Sequence, residues 1–307
     1  MANPFTIAQL SDAHLGPIAG FAPRYWGPKR ALGYVNWMRN RRDAYSAAVL
    51  DRLVADLHAQ RPDHVAVTGD LVNIGLPQEH RNALGWLDRL GSPDAVTVIP
   101  GNHDIYAHTG SHTPLRLWAA YMQANAAGQP YTEAAFPFVR VFGKVALVAV
   151  NSARPTPPAM AWGRVGRGQL GRLRTVLARL GSQGLFRLVL IHHPPLPGQA
   201  GFARGLRDAP ALQAVLEASG AELVIHGHNH RNMLAWGHCD RGRILVVGAP
   251  SASLNRRHGR EPLARYNLYR IECAAPRTVE MTGRGLAEPG GPVVELERRR
   301  FVLDDEQ

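Results

Sequence analysis

Apolar positions along this chain fall into runs of two kinds. Short runs rich in β-branched residues, Phe5–Leu10, His64–Thr68, Val96–Ile99, Phe186–Ile191 and Leu223–Ile225, end in polar, Gly or Pro breakers. Such runs predict buried strands. Between them apolar residues recur every three or four positions, which predicts helices. The helices fall at Asp43–Gln60 (stripe Tyr45, Val49, Leu53, Leu57), Pro77–Leu90, Thr113–Ala127, Gln169–Leu180 and Ala209–Ser219. Phe138–Phe142 and Val145–Val150 flank Gly143-Lys144 and predict a hairpin, followed by a Pro-rich loop over Asn151–Gly163. Met233–His238, Ile244–Val247, Tyr266–Ile271, Val279–Thr282 and Val293–Val302 read as further strands with antiparallel connections. Strand–helix alternation predicts a largely parallel α/β sheet, whose sites lie at the carboxyl ends of strands. There is no internal repeat or low-complexity linker. The expected organisation is therefore one domain over 1–307, with an insertion at about 16–42 and a β-rich C-terminal extension at about 265–303.

The insertion has its own pattern. Arg24, Lys29, Arg30, Arg39, Arg41 and Arg42 occur with no acid before Asp43, interleaved with Phe21, Tyr25, Trp26, Tyr34 and Trp37. Ala31, Tyr34, Val35 and Met38 have helical spacing, and Pro28 suits a helix start, so a short basic amphipathic helix is expected. A lid packed on the body, a membrane-surface contact and a dimer interface all remain open for Gly16–Arg42.

Polar residues cluster where the strands stop. Ser11-Asp12-Ala13-His14 follows the first, Gly69-Asp70 the second and Gly101-Asn102-His103-Asp104 the third. His192-His193-Pro194 and Gly227-His228-Asn229-His230 follow the two later runs. Any one of these is an ordinary polar turn. Five strand ends carrying carboxylate, amide or imidazole groups point to metal ligation, because buried histidines would otherwise each need a separate partner. The set contains no thiolate, which argues against a structural zinc site. Asp12, His14, Asp70, Asn102, His192, His228 and His230 are too many for one ion with an open position. They suit two divalent ions about 3.5–4 Å apart, which clamp a phosphate and activate water. Mixed His/Asp/Asn donors suit Mn, with Fe, Zn, Co or Ni as alternatives.

Asp-x-His, Gly-Asp, Gly-Asn-His-Asp, His-His-Pro and Gly-His-x-His, in this order over roughly residues 6–250, resemble the calcineurin-like metallophosphoesterase superfamily. The resemblance implies a four-layer α/β/β/α sandwich of two mixed sheets. It implies that Asp12, His14 and His230 hold one metal, that Asn102, His192 and His228 hold the other, and that Asp70 bridges them. His103 would stabilise the phosphoryl oxygens or protonate the leaving group, and Asp104 would orient His103. Asn73 stands where the family often has a second acid and reads as a loop residue. His193 reads as a supporting neighbour and His226 as core; His58, His64, His80, His108, His112, His238 and His258 read as surface or packing residues. The implied reaction is hydrolysis of a phosphodiester or pyrophosphate. Cyclic nucleotides and UDP-2,3-diacylglucosamine-type lipid precursors both remain open as substrates. A non-catalytic scaffold would be expected to lack a ligand or His103, and neither is missing.

Composition adds limits. The formal charge of +11 favours an anionic phosphoester partner, but no nucleic-acid recognition motif accompanies it. Cys239 and Cys273 lack metal-motif spacing and imply no disulfide framework. No secretory signal is expected from the N-terminus, and no run approaches the ~18 apolar residues of a spanning helix. The expected location is cytoplasmic, with at most peripheral contact with the inner membrane face.

Overall fold

The computed structural model of the protein describes residues 4–18, 20–107, 114–124, 136–240, 242–257 and 259–304. Its first sheet contains β1 (Phe5–Leu10), β2 (His64–Val67), β3 (Val96–Val98), β10 (Arg265–Glu272), β11 (Thr278–Leu286) and β12 (Val293–Val302), in the order β12-β11-β10-β1-β2-β3. The second contains β4 (Phe138–Phe142), β5 (Val145–Ala149), β6 (Phe186–Leu190), β7 (Leu223–His226), β8 (Met233–Cys239) and β9 (Gly242–Gly248), in the order β4-β5-β6-β7-β9-β8. β1, β2 and β3 are mutually parallel, as are β5, β6, β7 and β9, while the outer strands pair antiparallel. The C-terminal strands are thus half of the first sheet, since β10 pairs directly with β1.

Side-chain alternation explains the layering. Val145, Leu147 and Ala149 of β5 join the core shared with the first sheet, whereas Ala146, Val148 and Val150 face a separate helix-side core. That second core takes Leu170, Leu173, Leu177 and Leu180 of α5 (Arg167–Ser182) and Leu212, Val215 and Leu216 of α6 (Ala209–Ser219). On the other side, α2 (Ala47–Gln60) contributes Val49, Leu53 and Leu57, and α3 (Pro77–Leu90) contributes Ala83, Leu87 and Leu90. Each buried Val or Leu among them contributes roughly 1.5–3 kcal/mol. The result is the expected α/β/β/α sandwich of two mixed sheets.

Some elements differ from the sequence reading. α2 starts at Ala47, where the Ser46 side chain accepts a hydrogen bond from the Val49 N–H. Tyr45 therefore leaves the helix stripe and bridges to Leu254. Of the helix expected over Thr113–Ala127, the described part is α4 (Pro114–Leu117) and a 3-10 turn at Ala119–Tyr121; the rest, with His108 and His112, lies outside the described residues, as does His258. In the insertion, α1 (Pro28–Asn36) runs into a π turn at Trp37–Arg41. The expected apolar stripe does not anchor it, for Val35 and Met38 stay 43% and 41% exposed. Buried Arg30 anchors it instead, donating to the carbonyls of Ile74 (3.2 Å) and Gly75 (3.0 Å). Among the described residues no helix is long and apolar enough to cross a membrane.

Candidate metal centre

Strand register alone brings the polar loops to one edge. Leu10 pairs with Val67, and Val67 with Val98, so Asp12, Asp70 and Asn102 lie two to four residues beyond aligned positions. In the second sheet Leu190 aligns with Ile225, placing His192 and His228 alike. The edges are tied together across the sheets. The Gln9 side-chain amide donates to the His226 carbonyl (2.9 Å), and the His228 N–H donates to Asp12 Oδ2 (3.0 Å). Gly69 has φ +92°, and a Cβ on Gly101 would strike the Asp70 carboxylate, so the β2 and β3 loops approach this closely only as glycines.

Four overlapping groups of ligand atoms result among the described residues. Asp12, His14 and His230 offer atoms within 4.8 Å of one another, and so do Asp12, Asp70 and His192. The other two are His192, His193 and His228, and His14, Asp70 and His103. His14 Nε2 lies 3.2 Å from His230 Nε2, which is 3.1 Å from Asp12 Oδ1. On the other side His192 Nε2 lies 3.4 Å from Asp70 Oδ2, 3.2 Å from Asn102 Oδ1 and 3.3 Å from His228 Nδ1, itself 2.8 Å from Asn102 Oδ1.

The opposite ring nitrogens decide what these atoms are. His14 Nδ1–H donates to the Val72 carbonyl (3.1 Å) and His192 Nδ1–H to the Thr68 carbonyl (2.7 Å), while His230 Nδ1–H donates to Glu261 Oε2 (3.0 Å). In the neutral rings the nitrogens facing inward are therefore lone pairs. Lone pairs, carboxylate oxygens and an amide oxygen converge, and Asp12 Oδ1 has no hydrogen-bond donor. A nest made of acceptors and shut from water needs a cation. The charges around the four rings pull in two directions. Burial drives His14 well below the usual histidine range, with Arg41 adding to it, and drives His228 down in the same direction. Burial opposes a charge on His192 as well, but Asp70 lifts it to about 9; Tyr45 and Asp12 raise His230 despite burial.

The backbone carries strain at the same places. Among the described residues seven non-glycine residues have positive φ, and five of them are Asp12, His14, Asp70, His228 and His230. Each costs of order 1 kcal/mol and persists where surrounding bonds over-determine it, which is typical of functional sites.

Asp104 is one of those bonds, and its part differs from the expected one. Its carboxylate accepts the N–H groups of Gly101 (2.8 Å), Asp70 (2.8 Å), Leu71 (2.9 Å) and Val72 (3.1 Å). It does not touch the His103 ring, whose Nδ1–H is held by the Asn73 carbonyl. Asp104 points back under the loops because four amide donors outcompete one imidazole. Asn73 is indeed a loop residue: its side-chain amide donates to the Leu15 carbonyl (2.9 Å). His193 lies between Ser152 Oγ (2.8 Å) and the Ala161 carbonyl (3.2 Å). His226 is buried with Nδ1 3.1 Å from the Gly227 carbonyl.

Several residues escape sequence reasoning. Arg41 Nη1 lies 3.3 Å from His103 Nε2. The Tyr45 hydroxyl lies 3.3 Å from His230 Nδ1, Tyr106 stacks on His103 with centroids 5.4 Å apart, and Arg204 donates to the His228 carbonyl (2.7 Å). They come from the insertion and from distant loops, and only the unpaired basic run over Arg24–Arg42 gave a signal. Above the nest opens a cleft of about 380 Å³, walled by Lys29, Leu32, Asn36 and Arg41 on one side and Met160, Ala161 and Arg204 on the other.

Comparison with known proteins follows the same lines. The profile of the calcineurin-like phosphoesterases matches residues 5–232. A probable cyclic nucleotide phosphodiesterase of Synechococcus sp. is 28% identical over 257 residues, 82% of this chain and 82% of its own. A glycerophosphodiester phosphodiesterase of Enterobacter lignolyticus is 30% identical over 174 residues, 56% of this chain and 57% of its own. Among solved structures, a dimetal phosphatase from Danio rerio shares the fold, with a TM-score of 0.65 at 16% identity over 98% of this chain and 100% of that one. The chain belongs to the calcineurin-like phosphoesterase family, and is a metal-dependent phosphoesterase whose buried His/Asp clusters fit a two-metal site.

Proposed function

We propose that the protein hydrolyses a phosphodiester with water, with Asp12, His14 and His230 holding one divalent ion, Asn102, His192 and His228 the other, and Asp70 both. The convergence of these His, Asp and Asn ligand atoms carries this reading. Two divalent ions there, manganese by preference and otherwise iron, zinc, cobalt or nickel, supply Lewis-acid polarisation of the phosphoester and a lowered pKa for the attacking water. The chain does the rest. Val72 and Thr68 carbonyls fix the ring orientation of His14 and His192. Glu261 does so for His230. His103, held from behind by Asn73, presents Nε2 beside the Arg41 guanidinium at the cleft floor. There the Arg41 guanidinium binds the phosphoryl oxygens, and His103, once it carries a second proton at Nε2, donates to them and hands that proton to the leaving oxygen. Cyclic-nucleotide and glycerophosphodiester phosphodiesterases among the relatives favour a diester over a monoester. The test is metal analysis of the purified protein with hydrolysis of cyclic AMP, glycerophosphodiesters and a diacylated UDP-sugar compared after EDTA treatment and Mn²⁺ return. Two ions per chain and Mn²⁺-restored hydrolysis support the reading; a single ion at full activity refutes the shared Asp70.

A second reading concerns the insertion. Trp26, Leu32, Val35 and Met38 are 62%, 49%, 43% and 41% exposed, with Arg24, Arg39 and Arg42 exposed around them. Apolar side chains ringed by arginines suit the surface of an anionic bilayer. Trp26→Ser with Val35→Ser should abolish sedimentation with phosphatidylserine vesicles; unchanged sedimentation, or none by the parent protein, refutes it.

A further inference from the structure

A separate cavity of about 200 Å³ opens between the sheets at the edge formed by β8 and β12, and none of the proposed metal ligands lines it. Leu234, Val247 and Met281 give it an apolar wall, and Arg265, Asn267, Glu297 and Arg299 a polar one. The space between packed sheets is ordinarily filled by apolar side chains. Here it holds Arg265, whose side chain is 4% exposed. β11 makes room for it: a Cβ at position 283 would strike the guanidinium, and residue 283 is glycine. The guanidinium is fixed from behind by a chain of side chains. Its Nε donates to Asn267 Oδ1 (3.0 Å), the Asn267 amide to the Tyr269 hydroxyl (3.1 Å), and that hydroxyl to Gln9 Oε1 (2.7 Å). Gln9 in turn donates to Thr68 Oγ1 (3.1 Å) and the His226 carbonyl (2.9 Å). A donor held in place beforehand loses little freedom when a ligand arrives.

The charges of the cavity do not balance among its own residues. Glu297 is the one acidic side chain lining it among the described residues. Its Oε2 pairs with Arg265 Nη2 (2.9 Å) and its Oε1 with Arg299 Nε, so one carboxylate serves two guanidiniums. Glu280 and Glu295 of the neighbouring strands pair with Arg298 instead. Arg265 Nη1 has no acceptor among the described residues. A buried cation with an unused donor is costly, and an anion offsets that cost. One surplus positive charge matches a monoanion, and the planar guanidinium fork matches a carboxylate. A phosphomonoester carries about −1.5 to −2 near pH 7 and would overshoot. The apolar wall suits a short carbon chain. We infer that this cavity binds a small organic carboxylate, its oxygens on Arg265 and Arg299 and its chain against Leu234, Val247 and Met281.

The site is independent of the phosphodiesterase reading, and its test is calorimetry of the Mn²⁺-loaded protein with butyrate and with inorganic phosphate. One butyrate should bind per chain. Arg265→Met should abolish this binding, and Arg299→Gln, at a side chain 56% exposed, should weaken it by ~10-fold or more. Glu297→Gln keeps the shape but removes the competing carboxylate, so it should tighten butyrate binding by ~10-fold. Phosphate, drawn to the ions, should bind the Glu297 and Arg299 variants as it binds the parent. An unfolding midpoint close to the parent's shows that these two variants are folded, whatever the fate of Arg265→Met. No butyrate binding by the parent overturns the inference, as does a folded Glu297→Gln with unchanged or weaker affinity. Loss of butyrate binding when EDTA removes the metal from a chain that stays folded also overturns it, since the anion would then sit on the ions.

Discussion

Asp104→Asn tests how the metal centre is held. The Asp104 carboxylate collects four buried N–H groups, two on each oxygen: Leu71 and Val72 on Oδ1, Gly101 and Asp70 on Oδ2. An asparagine keeps one acceptor and turns the other into a donor. Whichever way the amide flips, two N–H groups lose their acceptor and face an NH₂ group. A buried donor left unsatisfied costs roughly 1–3 kcal/mol, so the loss should reach about 2–5 kcal/mol. That is a large share of the ~5–15 kcal/mol that holds a typical domain folded. The assay is guanidinium unfolding at pH 7.5 of parent and variant stripped of metal, so that ion binding does not mask the effect. The midpoint should fall with the slope unchanged. Because Asp70 itself donates one of these bonds, the variant reloaded with Mn²⁺ should also hold its ions more weakly. A variant within ~0.5 kcal/mol of the parent, with the same slope, would refute the bracing role. A catalytic loss without a stability loss would return Asp104 to the role of orienting His103.

Asp70→Asn should lower the metal content of the purified protein and abolish hydrolysis together; full occupancy by elemental analysis would show that Asp70 is not shared. His103→Ala should keep both ions while kcat falls by the ~10²–10⁴ typical of proton-transfer residues, and a kcat within threefold of the parent would remove it from the mechanism. Buried His64, bonded to Thr97 Oγ1 (2.8 Å) and packed on Phe142, has its pKa lowered by burial from 6.5 to about 3. The unfolded chain therefore binds a proton that the folded chain refuses. This contribution to stability is present above pH 6.5 and is lost as the pH falls towards 3, by at most ~1.4 kcal/mol per pH unit. Urea midpoints at pH 7.5 and 5 should show a smaller drop for His64→Gln than for the parent, and equal drops would count against the assignment.

The sequence alone determined the elements and the loops that matter. Continuous apolar runs such as Val145–Val150, buried on both faces, and the four-leucine stripe of α5 are local records of what is buried, so strands and helices could be read with ends off by up to four residues. That Asp12, His14, Asp70, Asn102, His192, His228 and His230 would converge was legible because each closely follows a strand, and parallel register carries strand ends to a common edge. The tertiary structure decided what a side chain does once several could compete for it. Asp104 was drawn under the loops by four amide donors, leaving His103 to the Asn73 carbonyl. Tyr45 left its helix stripe for His230, and α1 was anchored by Arg30 on two carbonyls while Val35 and Met38 stayed exposed. Arg41, Tyr106, Arg204 and Glu261 reach the site from separate segments, and nothing local marks such convergence. Hydrophobic patterning is written residue by residue, whereas a hydrogen bond or a charge contact depends on which partner is nearest in three dimensions.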